Sequence, residues 1–187
     1  MKFESQRLKY RYFTEQDYLL FCSIFSNEQV MKYAWIDKIE NEEEMRGLFK
    51  DFLNYDGRLN KNNSYGYAVF LKEEDIFIGF ADMVIQSLNS FGGCGEIGYF
   101  FLPQYWGKGY ATELANSLVE IGFTRLGLHK ISARCNSNNL KSENIMKKVG
   151  MTKEGELKKV RFKNGEWDDE NHYGILIDEW KTIKNKL

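Results

Sequence analysis

One proline in 187 residues, Pro103, leaves few points at which a helix or a sheet ladder must break. Cysteine is scarce as well. Cys22, Cys94 and Cys135 lie far apart and are odd in number, which excludes a disulfide framework and gives no metal-ligand spacing. The two histidines, His129 and His172, have neither metal-ligand spacing nor a nucleophile near them in sequence, so no metal is expected. No apolar run approaches the length of a membrane span, and residues 1–5 lack the apolar region of a secretory signal. The formal net charge is only −1, which argues against nucleic acid as an obligatory partner, because phosphate backbones recruit strongly basic faces. What is present is 43% hydrophobic and 28% charged residues without a linker or a composition break. The expectation is one domain over residues 1–187 with a proper core, in a reducing cytoplasm, without a membrane partner.

Leu8, Tyr10 and Tyr12 alternate with Lys9 and Arg11, the period of a strand with one buried face. Thr14 then caps a helix whose first turn is acidic, and a second helix is expected over 42–54, with Met45, Leu48, Phe49 and Phe52 as its apolar stripe. Glu40, Glu42, Glu43 and Glu44 open that second helix, either as a solvated face or as a mouth for an amine. Residues 65–71 and 77–85 read as an antiparallel hairpin, 87–95 as a loop, and 96–102 as the next strand, ended by Pro103. A long amphipathic helix follows over 108–126, with Gly127 past its end, and then a short strand in which Ile131, Ala133 and Cys135 alternate. Strand, helix and strand in this order give a right-handed crossover and a parallel pair. A short helix over 141–149 and two strands, 152–162 and 167–177, joined by an Asn164-Gly165 turn, complete the pattern before Trp180 and a lysine-rich tail.

The long helix begins at Gln104-Tyr105-Trp106-Gly107-Lys108-Gly109-Tyr110-Ala111-Thr112. A helix start has unpartnered N–H groups and partial positive charge, so a glycine-rich entry reads as a phosphate cradle. Two other glycine patterns fail on context. Gly93-Cys94-Gly95-Glu96-Ile97-Gly98 matches the dinucleotide fingerprint but precedes a strand instead of opening a helix, and Gly107-Lys108 lacks the further glycine and the hydroxyl of a triphosphate loop.

Gln104-x-x-Gly107-x-Gly109 resembles the pyrophosphate signature of the GNAT superfamily of acetyl-CoA-dependent N-acetyltransferases. Its surroundings, Glu96-Ile97-Gly98-Tyr99, Pro103-x-x-Trp106-Gly107-Lys108-Gly109-Tyr110-Ala111-Thr112-Glu113, Asn139-x-x-Ser142 and Lys148-Val149-Gly150-Met151, are similar to the RimJ/RimL branch, as are Gln6-Arg7-Leu8 and Tyr173-Gly174-Ile175-Leu176-x-x-Glu179-Trp180. The resemblance implies an α/β (α+β) fold, with a mixed and strongly twisted sheet of six to seven strands, helices on both faces and splayed central parallel strands. It implies acetyl-CoA as cosubstrate. Backbone groups of Trp106, Gly107, Lys108, Gly109, Tyr110, Ala111 and Thr112, with Gln104 of the signature, would hold its pyrophosphate, and main-chain groups near Phe100, Phe101 and Leu102 would pair with pantetheine. Asn139 would bond pantetheine from the other side, or simply cap its helix.

Acetyl transfer needs a neutral amine, so a base must take its proton. The resemblance places that role on Glu96, whose apolar neighbours in sequence would raise its proton affinity; the bland reading is a strand-start glutamate at the solvent edge. Many members protonate the leaving thiolate with a tyrosine where this chain has Met146, so Ser142, near the expected sulfur, is the substitute. The expected mechanism is direct attack in a ternary complex, without an acyl-enzyme on Cys94 or Cys135. The expected acceptor is a protein or peptide N-terminal amine. The alternatives are a polyamine, amino sugar or antibiotic amine, or a non-catalytic acetyl-CoA-binding module. A monomer and a homodimer both remain open.

Overall fold

The computed structural model describes residues 2–54, 58–163 and 165–185. Met1, Asn164 of the expected turn, and the end of the lysine-rich tail lie outside the described residues. Eight strands form one sheet: β1 (Lys2–Glu4), β2 (Leu8–Tyr12), β3 (Ser64–Leu71), β4 (Phe77–Asn89), β5 (Gly92–Phe101), β6 (Lys130–Asn136), β7 (Thr152–Lys163) and β8 (Glu166–Leu176). Their spatial order is β1-β2-β3-β4-β5-β6-β8-β7, and among the described residues only β5 and β6 run parallel. The sequence pattern gives six or seven strands; the structure has eight, because β1 is too short to show a period and is held by pairing with β2.

Six α-helices complete the described chain: α1 (Tyr18–Phe25), α2 (Glu28–Met31), α3 (Glu42–Phe52), α4 (Tyr110–Thr124), α5 (Leu140–Lys148) and α6 (Ile177–Lys184). The tail after β8 is therefore partly helical, with Glu179 accepting from the Leu176 N–H at its start. No described helix is long and apolar enough to cross a membrane.

The sheet carries a core on each face. Alternation along β3 sends Tyr67, Val69 and Leu71 to one side, where they join Met83, Ile97 and Ile131 under Leu114, Leu118 and Val119 of α4. Ala68 and Phe70 face the other side with Phe77 and Phe80, covered by Phe21 and Phe25 of α1 and Phe49 and Phe52 of α3. Phe80 is the hub of this second core, with five aromatic rings, Phe13, Phe21, Phe25, Phe52 and Phe100, within about 6 Å of its centroid. Burial of each such side chain contributes about 1.5–3 kcal/mol.

Residues 87–95, expected as a loop, are mostly strand: β4 and β5 pair out to Asn89 opposite Gly92. The glycines that suggest a loop meet a packing need instead. A Cβ on Gly95 would lie 2.7 Å from Leu128 Cδ1. The decoy glycine pattern is thus buried in a sheet, with no helix start behind it.

The β5/β6 ladder is short. Its rungs are Cys94 with Lys130, Gly95 with Ile131 and Glu96 with Ser132. Beyond Glu96 and Ser132 both strands continue without pairing to one another. The Gly93 carbonyl accepts from His129 N–H (2.7 Å) and the Gly95 carbonyl from Ser132 Oγ (3.2 Å), whereas Leu102 N–H donates to the Ile78 carbonyl (2.9 Å). Odd-numbered residues of β5 therefore turn their backbone toward β6 and even-numbered ones toward β4. Past the last rung, the backbone groups of Ile97, Tyr99 and Phe101 face the gap between the two strands.

Candidate active site

A cleft of about 1280 Å³ opens where this ladder stops, between β5, β6, the start of α4 and α5 on one side and the α2 end on the other. Its first wall is the α4 entry. Gly107 (φ +75°) and Gly109 (φ +82°) adopt left-handed backbone that residues with a Cβ avoid, and Gly109 is the helix N-cap. The first intrahelical bond is made by Glu113 N–H to Gly109 O (3.1 Å), so the N–H groups of Tyr110, Ala111 and Thr112 precede the helix ladder.

This loop is braced from two directions. Trp106 Nε1 donates to the Phe101 carbonyl at 2.6 Å, tying the loop to the end of β5. Glu113, in the first turn of α4, accepts from Ser5 Oγ (2.6 Å), Arg7 N–H (2.7 Å) and Arg7 Nε (2.7 Å), while Arg7 Nη1 reaches the Lys108 carbonyl (3.0 Å) and the guanidinium stacks on Tyr110. Burial would raise the Glu113 carboxyl, but these hydrogen bonds outweigh it and hold it below the usual range.

The second wall is α5. Asn139 Oδ1 accepts from Ser142 N–H (3.2 Å), so this residue is an N-cap, and its remaining amide is what it can offer a ligand. Ser142 Oγ lies 3.2 Å from Tyr99 OH. Burial pushes the Tyr99 hydroxyl up to about 12 and the Cys135 thiol up to about 11, so both stay protonated near neutrality. Met146 is buried in the core and carries no proton donor to this wall.

The third wall is the opposite sheet face, where Asp82 (β4), Glu96 (β5), Arg134 (β6) and Arg161 (β7) line the cleft. Glu96 is not set among apolar side chains, as its sequence neighbours suggest: Arg134 Nε donates to one oxygen (2.8 Å) and Gln86 Nε2 to the other (3.2 Å). Glu170 is buried and neutralised by Arg161, with His172 Nε2 at 2.9 Å and Arg134 Nη1 at 3.6 Å. Burial, helped by Arg134, pulls His172 below its usual range. Asp82 differs from all of these. It has no ion pair among the described residues, and burial together with the Glu96 charge pushes it up to about 7, against the pull of the Gly98 N–H and Arg134.

The α2 end is held against this face by β7. Lys163 is buried, and its Nζ donates to the carbonyls of Met31, Ala34 (3.1 Å) and Ile36 (2.9 Å). Arg161 Nη1 reaches the Tyr33 carbonyl (3.4 Å).

Glu96, Phe100, Phe101, Trp106, Gly107, Gly109, Tyr110, Ala111, Thr112, Asn139 and Ser142 meet in the cleft; Leu102, Gln104 and Lys108 do not line it. Leu102 spends its N–H on Ile78, Gln104 is exposed, and Lys108 packs its ammonium over Tyr105. The β5 parity makes Phe101 and Tyr99, not Phe100 and Leu102, the residues whose backbone faces the gap. The α3 glutamates lie outside the cleft, and the acidic run Asp168-Asp169-Glu170 of β8 supplies it with no free carboxylate either: Asp168 accepts from Asn136 (2.7 Å), Asp169 from Lys159 N–H (2.9 Å), and Glu170 is paired as above. Sequence reasoning missed Asp82, although a lone charge inside the apolar run 77–85 marks it; Arg134, Arg161 and Tyr99 had no comparable signal.

The comparisons agree with this geometry. A family model described as an acetyltransferase (GNAT) domain matches residues 7–152. An uncharacterized N-acetyltransferase of Bacillus subtilis, YnaD, is 36% identical over 96% of this chain and 99% of its own. A spermidine N(1)-acetyltransferase of Vibrio cholerae is 25% identical over 83% of this chain and 84% of its own. Among solved structures, a GNAT-family acetyltransferase from Bacillus anthracis superposes with a TM-score of 0.77 at 32% identity, covering 94% of this chain and 98% of that one. The ribosomal L7/L12 alpha-N-protein acetyltransferase RimL in complex with coenzyme A reaches 0.79 at 18% identity, over 96% and 99%, and shows the fold alone. The chain belongs to the GNAT acetyltransferase family and is an N-acetyltransferase.

Proposed function

We propose that the enzyme moves acetyl from acetyl-CoA to a primary amine by direct attack within a ternary complex, and that the acceptor is a peptide N-terminal amine. The donor side rests on the α4 entry: positive-φ glycines and the leading N–H groups of a helix suit a pyrophosphate, and the backbone of Tyr99 and Phe101 suits a pantetheine arm in the gap. An N–H there would also stabilise the thioester oxygen as charge develops on it. Asn139 and Ser142 would contact the arm from α5, with Ser142 beside the sulfur. A bound-only role is disfavoured by the carboxylates across the gap.

The acceptor side rests on one observation. The charged groups lining the cleft are Lys32, Arg134, Lys141, Lys148 and Arg161 against Asp82 and Glu96, and Glu96 is already paired with Arg134. A single unpaired carboxylate suits one amine and not a polycation. Likeness to the spermidine acetyltransferase supports a polyamine as the second reading. A thiol-release assay decides between them: N-terminal peptides should turn over with a higher kcat/KM than spermidine or amino sugars. Faster turnover of spermidine would reverse the assignment, and no thiol release with any amine would end it.

A further inference from the structure

We propose that Asp82, not Glu96, takes the proton from the acceptor amine, with Glu96 acting on Asp82 and Arg134 as a positioning residue; this rests on the acetyl-transfer reading above. Three features of the fold carry it.

The first is register. Glu96 belongs to the last rung of the β5/β6 ladder, whereas Asp82 sits opposite Gly98, two residues past that rung and level with the opened gap. Asp82 is thus nearer the stretch, Ile97 to Tyr99, where a thioester would meet an amine from the other sheet face.

The second is availability. Glu96 is ion-paired with Arg134, and each of its oxygens already accepts one hydrogen bond, from Arg134 and from Gln86. Asp82 lines the cleft and has no ion pair among the described residues. The third is space made for it. A Cβ on residue 98 would lie 2.4 Å from Asp82 Oδ1, so only glycine there leaves the carboxyl its position.

The charged groups around Asp82 are Glu96 of β5 and Arg134 of β6, with Arg161 of β7 and Lys32 after α2 on the same cleft. Burial and Glu96 bring its titration up to about 7, where a carboxylate can both receive a proton from an ammonium and pass it on at neutral pH. The step balances simply. An ammonium proton moves to the Asp82 carboxylate, the neutral nitrogen bonds to the acetyl carbon, and the C–S bond breaks. Of the two protons the nitrogen loses overall, one ends on the CoA sulfur and the other leaves through Asp82 to solvent.

The test uses the full chain, acetyl-CoA and the best peptide of the acceptor panel. D82N should lower kcat about 100-fold or more and remove the enzyme's acid limb from the pH profile. Acetyl-CoA affinity by calorimetry should stay within about threefold, which also reports folding. E96Q should keep that limb but move it to lower pH, because removing a like charge makes Asp82 more acidic. Carboxyl NMR on aspartate-labelled wild type should show a resonance titrating near 7 that E96Q shifts down; this needs neither turnover nor a folded D82N. The proposal fails if D82N retains activity within about fivefold, if E96Q abolishes the limb, or if no aspartate titrates in that region. Normal turnover in wild type with any of these leaves the acetyl-transfer reading standing; absence of thiol release in wild type removes both.

Discussion

Arg7 gives Glu113, 106 positions away, both its backbone N–H and its Nε, each at 2.7 Å. The turn between β1 and β2 is thereby bonded to the first turn of α4, and the glycine loop is held from behind by a pair that lies outside the cleft lining. Arg7→Ala and Glu113→Gln should each raise the acetyl-CoA Kd about 3- to 10-fold with kcat nearly unchanged, as charge-assisted bonds of this kind position without reacting. Calorimetry checks it; an unaltered Kd would mean that the loop keeps its shape unaided.

Gly109 tests the cradle directly. Gly109→Val must hold φ near +82°, costing about 1–2 kcal/mol in left-handed backbone, and its Cβ would come within 3.4 Å of Arg7 Nη2. The expected result is acetyl-CoA binding weakened by an order of magnitude or more, with the melting temperature lowered by only a few degrees.

Ser142 and Tyr99 share one hydrogen bond at 3.2 Å, and they separate proton supply from orientation. If Ser142 serves the leaving thiolate, Ser142→Ala should cut kcat roughly 10- to 100-fold at constant acetyl-CoA Kd. Tyr99→Phe, which removes a hydroxyl pushed up to about 12, should cost less than about tenfold. Equal effects in single-turnover rates would point to a shared orienting role.

Asp17 ties β2 to the turn before α1 on the far side of the sheet. Its carboxylate accepts from Arg11 Nη1 and Nη2 (2.6 and 2.9 Å) and from Thr14 N–H and Oγ1 (2.8 Å each). Burial opposes ionisation, but these bonds win and hold it below the usual carboxylate range. A depressed carboxyl stabilises the fold fully above its unfolded value and loses that contribution as pH falls through the folded one. Asp17→Asn should cost about 1–3 kcal/mol in urea unfolding at pH 7 and flatten the stability curve below pH 4.

Lys163 closes the α2 end of the cleft, the end proposed to take the acceptor, where its ammonium serves three carbonyls. Lys163→Met leaves those buried acceptors unpaired and should cost about 2–3 kcal/mol. It should also raise the acceptor KM more than the acetyl-CoA KM, because Tyr33 and Trp35 lose their support.

The proposed donor half of the site was legible because it is local. Gly107, Gly109 and the amphipathic run after them are contiguous, and a helix start carries its chemistry in its backbone. The proposed acceptor half is assembled from β4, β5, β6 and β7, so its electrostatics depend on pairings that no local pattern encodes. Glu96 shows the difference: its neighbours in sequence are Gly95 and Ile97, but its partners are Arg134 and Gln86, delivered by strand register. The reading of 87–95 as a loop failed for a related reason, since polar and glycine-rich residues can form strands when cross-strand backbone bonds and close packing fix them.

The three-rung junction between β5 and β6 divides the sheet into a five-stranded part and a three-stranded part. Few backbone bonds join these parts across the β5/β6 seam. A ligand whose amides bridge both strands acts as added ladder, so its binding free energy becomes stability shared across the seam. Hydrogen exchange should register this as protection rising together in β5 and β6, far beyond the residues that touch the ligand.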